Sequence, residues 1–264
     1  MQILLLAIDI SNSTIKAGIF QDSELVANWQ FATERHKIAD DYAMLLLNLF
    51  KASDISATSI SGVSFSCVVP PLRSVFARIA RQYLKAEPII VSPDIKTGVK
   101  FRIDNPRELG GDRIVNALAT YRLYGGPAIS IAFGTATVFD CISAEGEYLG
   151  GAIAPGMIGA LESLARSAAQ LYQVEIVRPS KAIGKNTTHM MQSGLVLGYA
   201  ALVEGTVARL KREMIAPDSD TKFTVIATGG LAEVVASDTE IIDVIDQHLL
   251  LKGLRLIYEM NQQT

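Results

Sequence analysis

Apolar residues follow two alternating rhythms along this chain. Residues 2–9 form an almost continuous apolar run closed by Asp9, the pattern of a strand covered on both faces. A polar break, Ser11-Asn12-Ser13-Thr14, follows it. Residues 15–20 resume the strand pattern, Gln21-Asp22-Ser23 supplies a hairpin turn, and residues 24–31 give a third strand. Within residues 40–51, Tyr42, Leu45, Leu46, Leu49 and Phe50 recur at helical spacing. Residues 60–69 read as a strand that stops at Pro70-Pro71, residues 74–84 as a helix and residues 88–91 as a short strand. The first part therefore predicts the order β-β-β-α-β-α-β.

The second part repeats that order. Residues 128–133 are apolar, Gly134-Thr135-Ala136-Thr137 is small and polar, and residues 138–142 return to the strand pattern. Glu145-Gly146-Glu147 turns the chain into a third strand at 148–153, and helical stretches follow at 158–171 and 188–213. Residues 223–227 form another buried strand ending in Thr228-Gly229-Gly230, and a last helix covers 246–260. Residues 7–15 overlay residues 130–138, apolar on apolar and small polar on small polar, at an offset from Asp9 to Ala132 close to half the chain. An internal duplication of a β-β-β-α-β unit explains this; two independent strand-turn-strand units remain the simpler alternative.

Three loops carry candidate chemistry. After Asp9, the tight turn of Ser11, Asn12, Ser13 and Thr14 offers backbone N–H groups and hydroxyls suited to polyphosphate, while a carboxylate there acts on phosphate only through magnesium and its water. The same residues also suit a plain hairpin with an Asp that caps it. Two such hairpins, one per repeat, can face each other across a cleft and grip a triphosphate from both sides. Gly229 and Gly230 allow close approach of a flat ligand such as adenine or ribose, although strand-to-helix turns use glycine in any case. The loop Asn105-Pro106-Arg107-Glu108-Leu109-Gly110-Gly111-Asp112-Arg113 enters a helix over 114–124. Asp112 suits a helix cap, and Arg113 a solvated cation. A carboxylate beside a guanidinium on a glycine loop is also what phosphoryl transfer to an alcohol needs.

Composition narrows the class. The 264 residues are 49% hydrophobic and 19% charged, with a net charge of −3; the isoelectric point is near 5.7 and the mean hydropathy +0.28. A core-forming chain with a weakly acidic surface is expected, one that does not hold nucleic acid by phosphate neutralisation. No apolar stretch reaches the roughly 18–20 residues that span a bilayer, and the opening run lacks a basic leader, so neither a membrane span nor a signal peptide is expected. The two cysteines, Cys67 and Cys141, sit in apolar runs as buried free thiols. A cytoplasmic location follows from that reading. His36, His189 and His248 pair with no nucleophilic Ser or Cys motif, His248 falls in the last helix, and no Gly-x-x-x-x-Gly-Lys occurs.

Taken in order, these pieces resemble the type III pantothenate kinases of the acetate and sugar kinase/Hsp70/actin superfamily, over nearly the whole chain. Asp9-Ile10-Ser11-Asn12-Ser13 is similar to that family's first phosphate motif, Gly110-Gly111-Asp112-Arg113 to its Gly-x-Asp-Arg, and residues 133–137 with Phe139-Asp140 to its second phosphate motif. Residues 150–156, 183–187 and 227–230 continue in family order. The resemblance implies a duplicated RNase H-like (actin-like ATPase) α/β fold, two β-β-β-α-β-α halves with a cleft between them. The halves are expected at 1–118 and at 119–264, the latter carrying dimerisation helices. It implies ATP-dependent phosphorylation of pantothenate, the first step towards coenzyme A, by a homodimer using Mg²⁺ and a monovalent cation, K⁺ or NH4⁺.

Residue by residue, the resemblance makes Asp112 the general base and Gly110, Gly111, Asp112 and Arg113 part of the pantothenate site. Thr187 reaches that site across the dimer interface. Asp9, Ile10, Ser11, Asn12, Ser13, Thr14, Ile15 and Lys16, with Thr135, Gly229 and Gly230, contact ATP, and Asp9 meets magnesium through water. Three positions depart from the family pattern: Ala132 stands where the cation-linked Asp is usual, Ile103 where a Tyr precedes Asp-Asn-Pro, and Ser11 and Ser13 where Gly and Thr are usual. Removing a carboxylate from a cation site removes both charge and ligand. Alternative readings are a non-catalytic relative that binds nucleotide or pantothenate in a regulatory role, and a kinase for another small hydroxyl compound.

Overall fold

The computed structural model describes residues 4–214 and 222–262. They form two compact units, the first built from residues 4–98, 104–119 and 249–262, the second from residues 99–103, 120–214 and 222–248.

In the first unit, strands β1 (Leu4–Ile10), β2 (Thr14–Gln21) and β3 (Glu24–Ala32) form an antiparallel meander. Helix α1 (Ala39–Ala52), β4 (Ile60–Cys67), α2 (Pro70–Tyr83) and β5 (Pro88–Ile90) follow. The sheet order is β3-β2-β1-β4-β5, with β4 and β5 parallel to β1. Central β1 is buried on both faces, as its unbroken apolar run predicts. One face, with Leu6, Ile8, Ile10, Ile15 and Phe65, packs on Tyr42, Leu46 and Phe50 of α1 and on Phe76 of α2. The sequence reading started the second helix after the two prolines, whereas α2 begins on Pro70 itself. Proline suits the first helical turn, where its missing N–H has no intrahelical partner and its φ is already helical.

The other face of that sheet presents Gly18 and Gly62 to the covering helix beside the larger, fully buried Phe20. Helix α3 (Gly111–Tyr124) starts above it, and the last helix, α7 (Leu249–Gln262), lies across β1, β2 and β4. A Cβ added to Gly62 would come 2.2 Å from the Tyr258 ring, so α7 seats directly on the sheet. Leu249, Leu251, Leu254 and Ile257 are buried there. The C-terminal helix thus joins the first unit, where a division at 118/119 placed it in the second. An amphipathic pattern states that one face is covered, not which sheet covers it.

In the second unit, β6 (Ala128–Phe133), β7 (Ala136–Ile142) and β8 (Tyr148–Pro155) form the meander. They are followed by α4 (Met157–Ser167), the long α5 (Thr187–Met214), β9 (Thr224–Thr228), α6 (Ala232–Ala236) and β10 (Val244–Ile245). The order β8-β7-β6-β9-β10, with β9 and β10 on the parallel side, reproduces the first sheet strand for strand. The duplication is therefore a property of the fold.

The overlay slips by one residue across the hairpin. Asp9 faces Lys16 and Ala132 faces Val138, so Val138 matches Lys16 rather than Ile15. The cause is loop length: residues 11–13 link the first pair of strands, and only Gly134 and Thr135 link the second. The helix expected after Thr228-Gly229-Gly230 is the short α6, and β10, two residues long, has no periodicity by which to mark it. His248 precedes α7 instead of lying within it. Cys141 is buried and Cys67 half-buried, and neither is in a disulfide. Among the described residues, no helix is long and apolar enough to cross a membrane.

Candidate active site

Asp9 is the next-to-last residue of β1, and neighbouring strands on both sides reach it. Lys16 of β2 and Ser66 of β4 lie directly opposite it in register. The carboxylate is buried and gripped at both oxygens: Ser66 Oγ donates to Oδ1 at 2.6 Å, and Ser11 Oγ donates to Oδ2 at 2.9 Å. Burial pushes its pKa up to about 6; the nearby Asp112 charge acts the same way, and the two hydroxyls and Lys16 oppose it.

The turn after Asp9 is closed by the Ser11 N–H donating to the Thr14 carbonyl at 3.1 Å. It is pinned from the end of β3, where Thr33 Oγ1 donates to the Ser11 carbonyl at 2.7 Å and Arg35 donates to Asn12 Oδ1 at 3.1 Å. Asn12 and Ser13 face solvent, and Thr14 and Lys16 are partly buried. Ile10 and Ile15, placed by the resemblance among the ATP contacts, have side chains wholly inside the apolar core. Only their backbone can face a ligand.

Asp112 is the second residue of α3. Its Oδ1 accepts the Arg113 N–H at 2.9 Å, folding the carboxylate back over the preceding loop. A Cβ at position 110 would come 2.5 Å from that oxygen, so the glycine is needed for the fold-back. A Cβ on Gly111 would sit 3.4 Å from Val91 and 3.6 Å from the Ser66 Cβ, so the first turn of α3 rests on β4. Burial raises the Asp112 pKa, with the Arg113 backbone and charge opposing. A partly buried carboxylate with raised proton affinity, next to a cation, is equipped to take a proton from an alcohol.

In the second unit, Thr135 lies exposed in the two-residue turn between β6 and β7. Gly229 follows β9 at φ +99°, and a Cβ there would come 2.3 Å from the Phe133 carbonyl oxygen, which excludes other residues. Gly230 beside it is open. These residues cluster where β6 and β9 end, the carboxyl edge at which open α/β sheets bind ligands. Asp140, from the second phosphate motif, does not join them: it is fully buried and accepts the Tyr148 hydroxyl at 2.9 Å.

Thr187 opens α5, where Asn186 Oδ1 caps the helix by accepting the His189 N–H at 2.9 Å. Thr187 lines an apolar groove of about 850 Å³ between α4 and α5, with Gly159, Leu164, Met190 and Tyr199. Ala132 is a half-buried methyl flanked by Val138 and Thr228, with no carboxylate to hold a cation. Among the described residues, no cluster of three or more His, Cys, Asp and Glu side chains is arranged to hold a metal.

The sequence reading passed over Ser66. A hydroxyl residue at a wholly buried position of an apolar strand was the available signal; its partner is 57 residues away in the chain.

A twice-built five-stranded unit, with an acidic phosphate-type hairpin in one copy and a neutral one in the other, defines the actin-like ATPase and sugar-kinase class of fold. Solved structures agree. A Baf family transcriptional activator from Campylobacter jejuni superposes with a TM-score of 0.61 at 18% identity, covering 98% of this chain and 100% of that one. The ROK hexokinase from Thermus thermophilus superposes at 0.51 with 14% identity, covering 99% and 100%. At such identities they attest the fold alone. Sequence comparison goes further: the type III pantothenate kinase model matches residues 5–209. The type III pantothenate kinase of Roseiflexus sp. (strain RS-1) is 53% identical over 259 residues, covering 98% of this chain and 100% of that protein. That of Moorella thermoacetica is 46% identical, with coverages of 98% and 100%. This chain belongs to the type III pantothenate kinase family.

Proposed function

We propose that this protein transfers the terminal phosphoryl group of ATP to the terminal hydroxyl of pantothenate, yielding 4′-phosphopantothenate and ADP at the entry to coenzyme A synthesis. Family membership supports the activity. The observation that carries the mechanism is the Asp9–Asp112 arrangement: one carboxylate locked by two hydroxyls, the other folded over glycine with raised proton affinity.

Asp112 accepts the proton of the attacking hydroxyl, and Arg113 balances the anionic acceptor. In the first unit the proposed nucleotide contacts are the turn from Ser11 to Thr14 and Lys16; in the second they are Thr135, Gly229 and Gly230. In-line phosphoryl transfer asks the protein mainly for position and electrostatic stabilisation. A divalent ion, when bound, neutralises charge on the ATP phosphates. A single carboxylate suits magnesium, which keeps several waters and binds largely through phosphate oxygens; Asp9 is the residue that would meet it, through water. A monovalent cation held through position 132 does not fit, because Ala132 offers no oxygen from its side chain.

The groove beside Thr187 supports a homodimer. Ile158, Leu164 and Met190 are exposed large apolar side chains of α4 and α5, a face suited to cover by a second copy of the chain, and Thr187 at its edge is the residue the family resemblance assigns to the partner's acceptor site. A cytoplasmic location accompanies this metabolic role.

ADP release coupled to NADH oxidation, with ATP and pantothenate, tests the proposal. Pantothenate-dependent turnover is the expected result. Binding of both ligands without ADP release would overturn it in favour of the regulatory relative that Ala132 and Ile103 suggest. Turnover only with another hydroxyl compound would move the substrate.

A further inference from the structure

Strand β4, Ile-Ser-Gly-Val-Ser-Phe-Ser-Cys, runs parallel to β1 through the interior of the first unit. Ser66 is fully buried in it, and burying a hydroxyl is unfavourable unless it is hydrogen-bonded. Its partner is Asp9 Oδ1, at 2.6 Å. Ser11 holds Oδ2 from the other direction. One donor fixes a distance; two donors from different segments, one per oxygen, fix the plane of the carboxylate as well. Ser66 also lies under Gly111, so the residue that grips Asp9 is the floor on which the first turn of α3 presents Asp112. The two repeats agree on the position. Asp9 faces Ser66 in the first sheet, and Ala132 faces Thr228 in the second, a hydroxyl residue again.

We propose that Ser66 is a positioning residue for phosphoryl transfer, holding the Asp9 carboxylate in one orientation and at a set separation from Asp112. Resting on the kinase reading above, the assignment gives Ser66 no contact with either substrate. Without its hydroxyl, Oδ1 becomes a buried acceptor lacking its donor, and the carboxylate turns towards Lys16, the cation across β2. The nucleotide phosphates then meet a displaced anion. Misplacement on the scale of an ångström slows such reactions by about a hundredfold.

Ser66→Thr and Ser66→Val form a matched pair of nearly equal shape, of which only the first keeps the hydroxyl; threonine is the residue at the corresponding register position of the second sheet, Thr228. Ser66→Ala removes the hydroxyl without adding bulk. Steady-state kinetics with ATP and pantothenate should be read beside calorimetric titration with Mg²⁺–ADP and thermal melting. In the Val and Ala variants we expect kcat to fall roughly 10- to 100-fold, and Mg²⁺–ADP affinity to weaken about tenfold, while KM for pantothenate stays within about threefold. Ser66→Thr should stay within about threefold of the parent in all three. Equal behaviour of the Val and Thr variants in kcat and Mg²⁺–ADP affinity would overturn the assignment, whether both were active or both impaired. An unmodified protein that fails to turn over pantothenate would instead sink the kinase reading, and calorimetry on the variants would still decide the role of Ser66.

Discussion

The two units share a strand order, a meander and a crossover pattern, yet they differ at the position where the first strand of each sheet ends. In the first unit that position is Asp9, a buried carboxylate held by Ser11 and Ser66. In the second it is Ala132, a methyl group between Val138 and Thr228. The connecting turn is three residues in one and two in the other. The strand that runs parallel beside that first strand, β4 in one unit and β9 in the other, also ends differently. Cys67, which continues towards the α2 proline, corresponds to Gly229, whose positive φ brings the backbone against Phe133. Packing needs only that apolar residues recur on the right faces, so the architecture survives duplication. Chemistry depends on single side chains, and there the copies have separated: one supplies the acids, the other a neutral turn and glycine backbone.

The largest expected effect tests whether the acid chemistry belongs to the first unit. Asp112→Asn keeps shape and removes the proposed base, so kcat should fall by about 10²- to 10⁴-fold, the usual contribution of a general base, while ATP affinity stays near that of the parent. Turnover at the parental rate would remove Asp112 from its role.

Asp9→Asn should separate activity from stability. The folded-state pKa of Asp9, about 6, lies above the ordinary value of 3.8. The folded protein therefore binds the proton more tightly than the unfolded chain, and the contribution of Asp9 to stability declines as pH rises from about 4 to 6. Above pH 6 the ionised group is a net liability of the order of 3 kcal/mol. The Asn variant should lose activity yet resist urea better at pH 7.5, with the advantage shrinking as pH falls towards 4. Equal urea midpoints across that range would show that the two hydroxyls already compensate for burial.

The backbone contrast can be tested with one matched pair. Gly229→Ala places a Cβ against the Phe133 carbonyl at a φ that L residues avoid, and should destabilise by about 2–3 kcal/mol. Cys67→Ala, at the matching place in the first unit, should change stability by less than about 1 kcal/mol. Similar losses in both would mean that the two strand ends are packed alike.

The smallest effect concerns the missing carboxylate. Replacing Na⁺ by K⁺ should leave the melting temperature of the parent unchanged. Ala132→Asp, which puts an unpaired acid into a half-buried site, should be destabilised by about 1–3 kcal/mol and should recover part of that loss in K⁺. A K⁺ response in the parent would place a cation site elsewhere.

Much of this molecule was legible from pattern. The meander strands, α1 and α5 follow from periodicity, and Asp9 and Asp112 stand out as acids at the edges of apolar segments. Pro70 is ambiguous in sequence, because a proline after a strand serves equally as a stop and as the first residue of a helix. The one-residue slip between the repeats is invisible in sequence because Ile15 and Val138 are both apolar and align without a gap. Ser66 was passed over for a different reason. Nothing near residue 66 in the chain announces a carboxylate partner, since the contact is made by the register of two parallel strands 57 residues apart.

Order along the chain, the doubling of the β-β-β-α-β unit and the identity of the acids were all present in the linear text, because burial of a face imposes a local periodicity of two or 3.6 residues. Which elements become neighbours was settled by folding: α7 on the first sheet instead of the second, Ser66 beneath Asp9, Gly111 over Ser66. Hydrophobic spacing records that a surface is covered and is silent about its cover. A hydrogen bond of 2.6 Å between strands distant in the chain exists only once register and packing have brought its two atoms together.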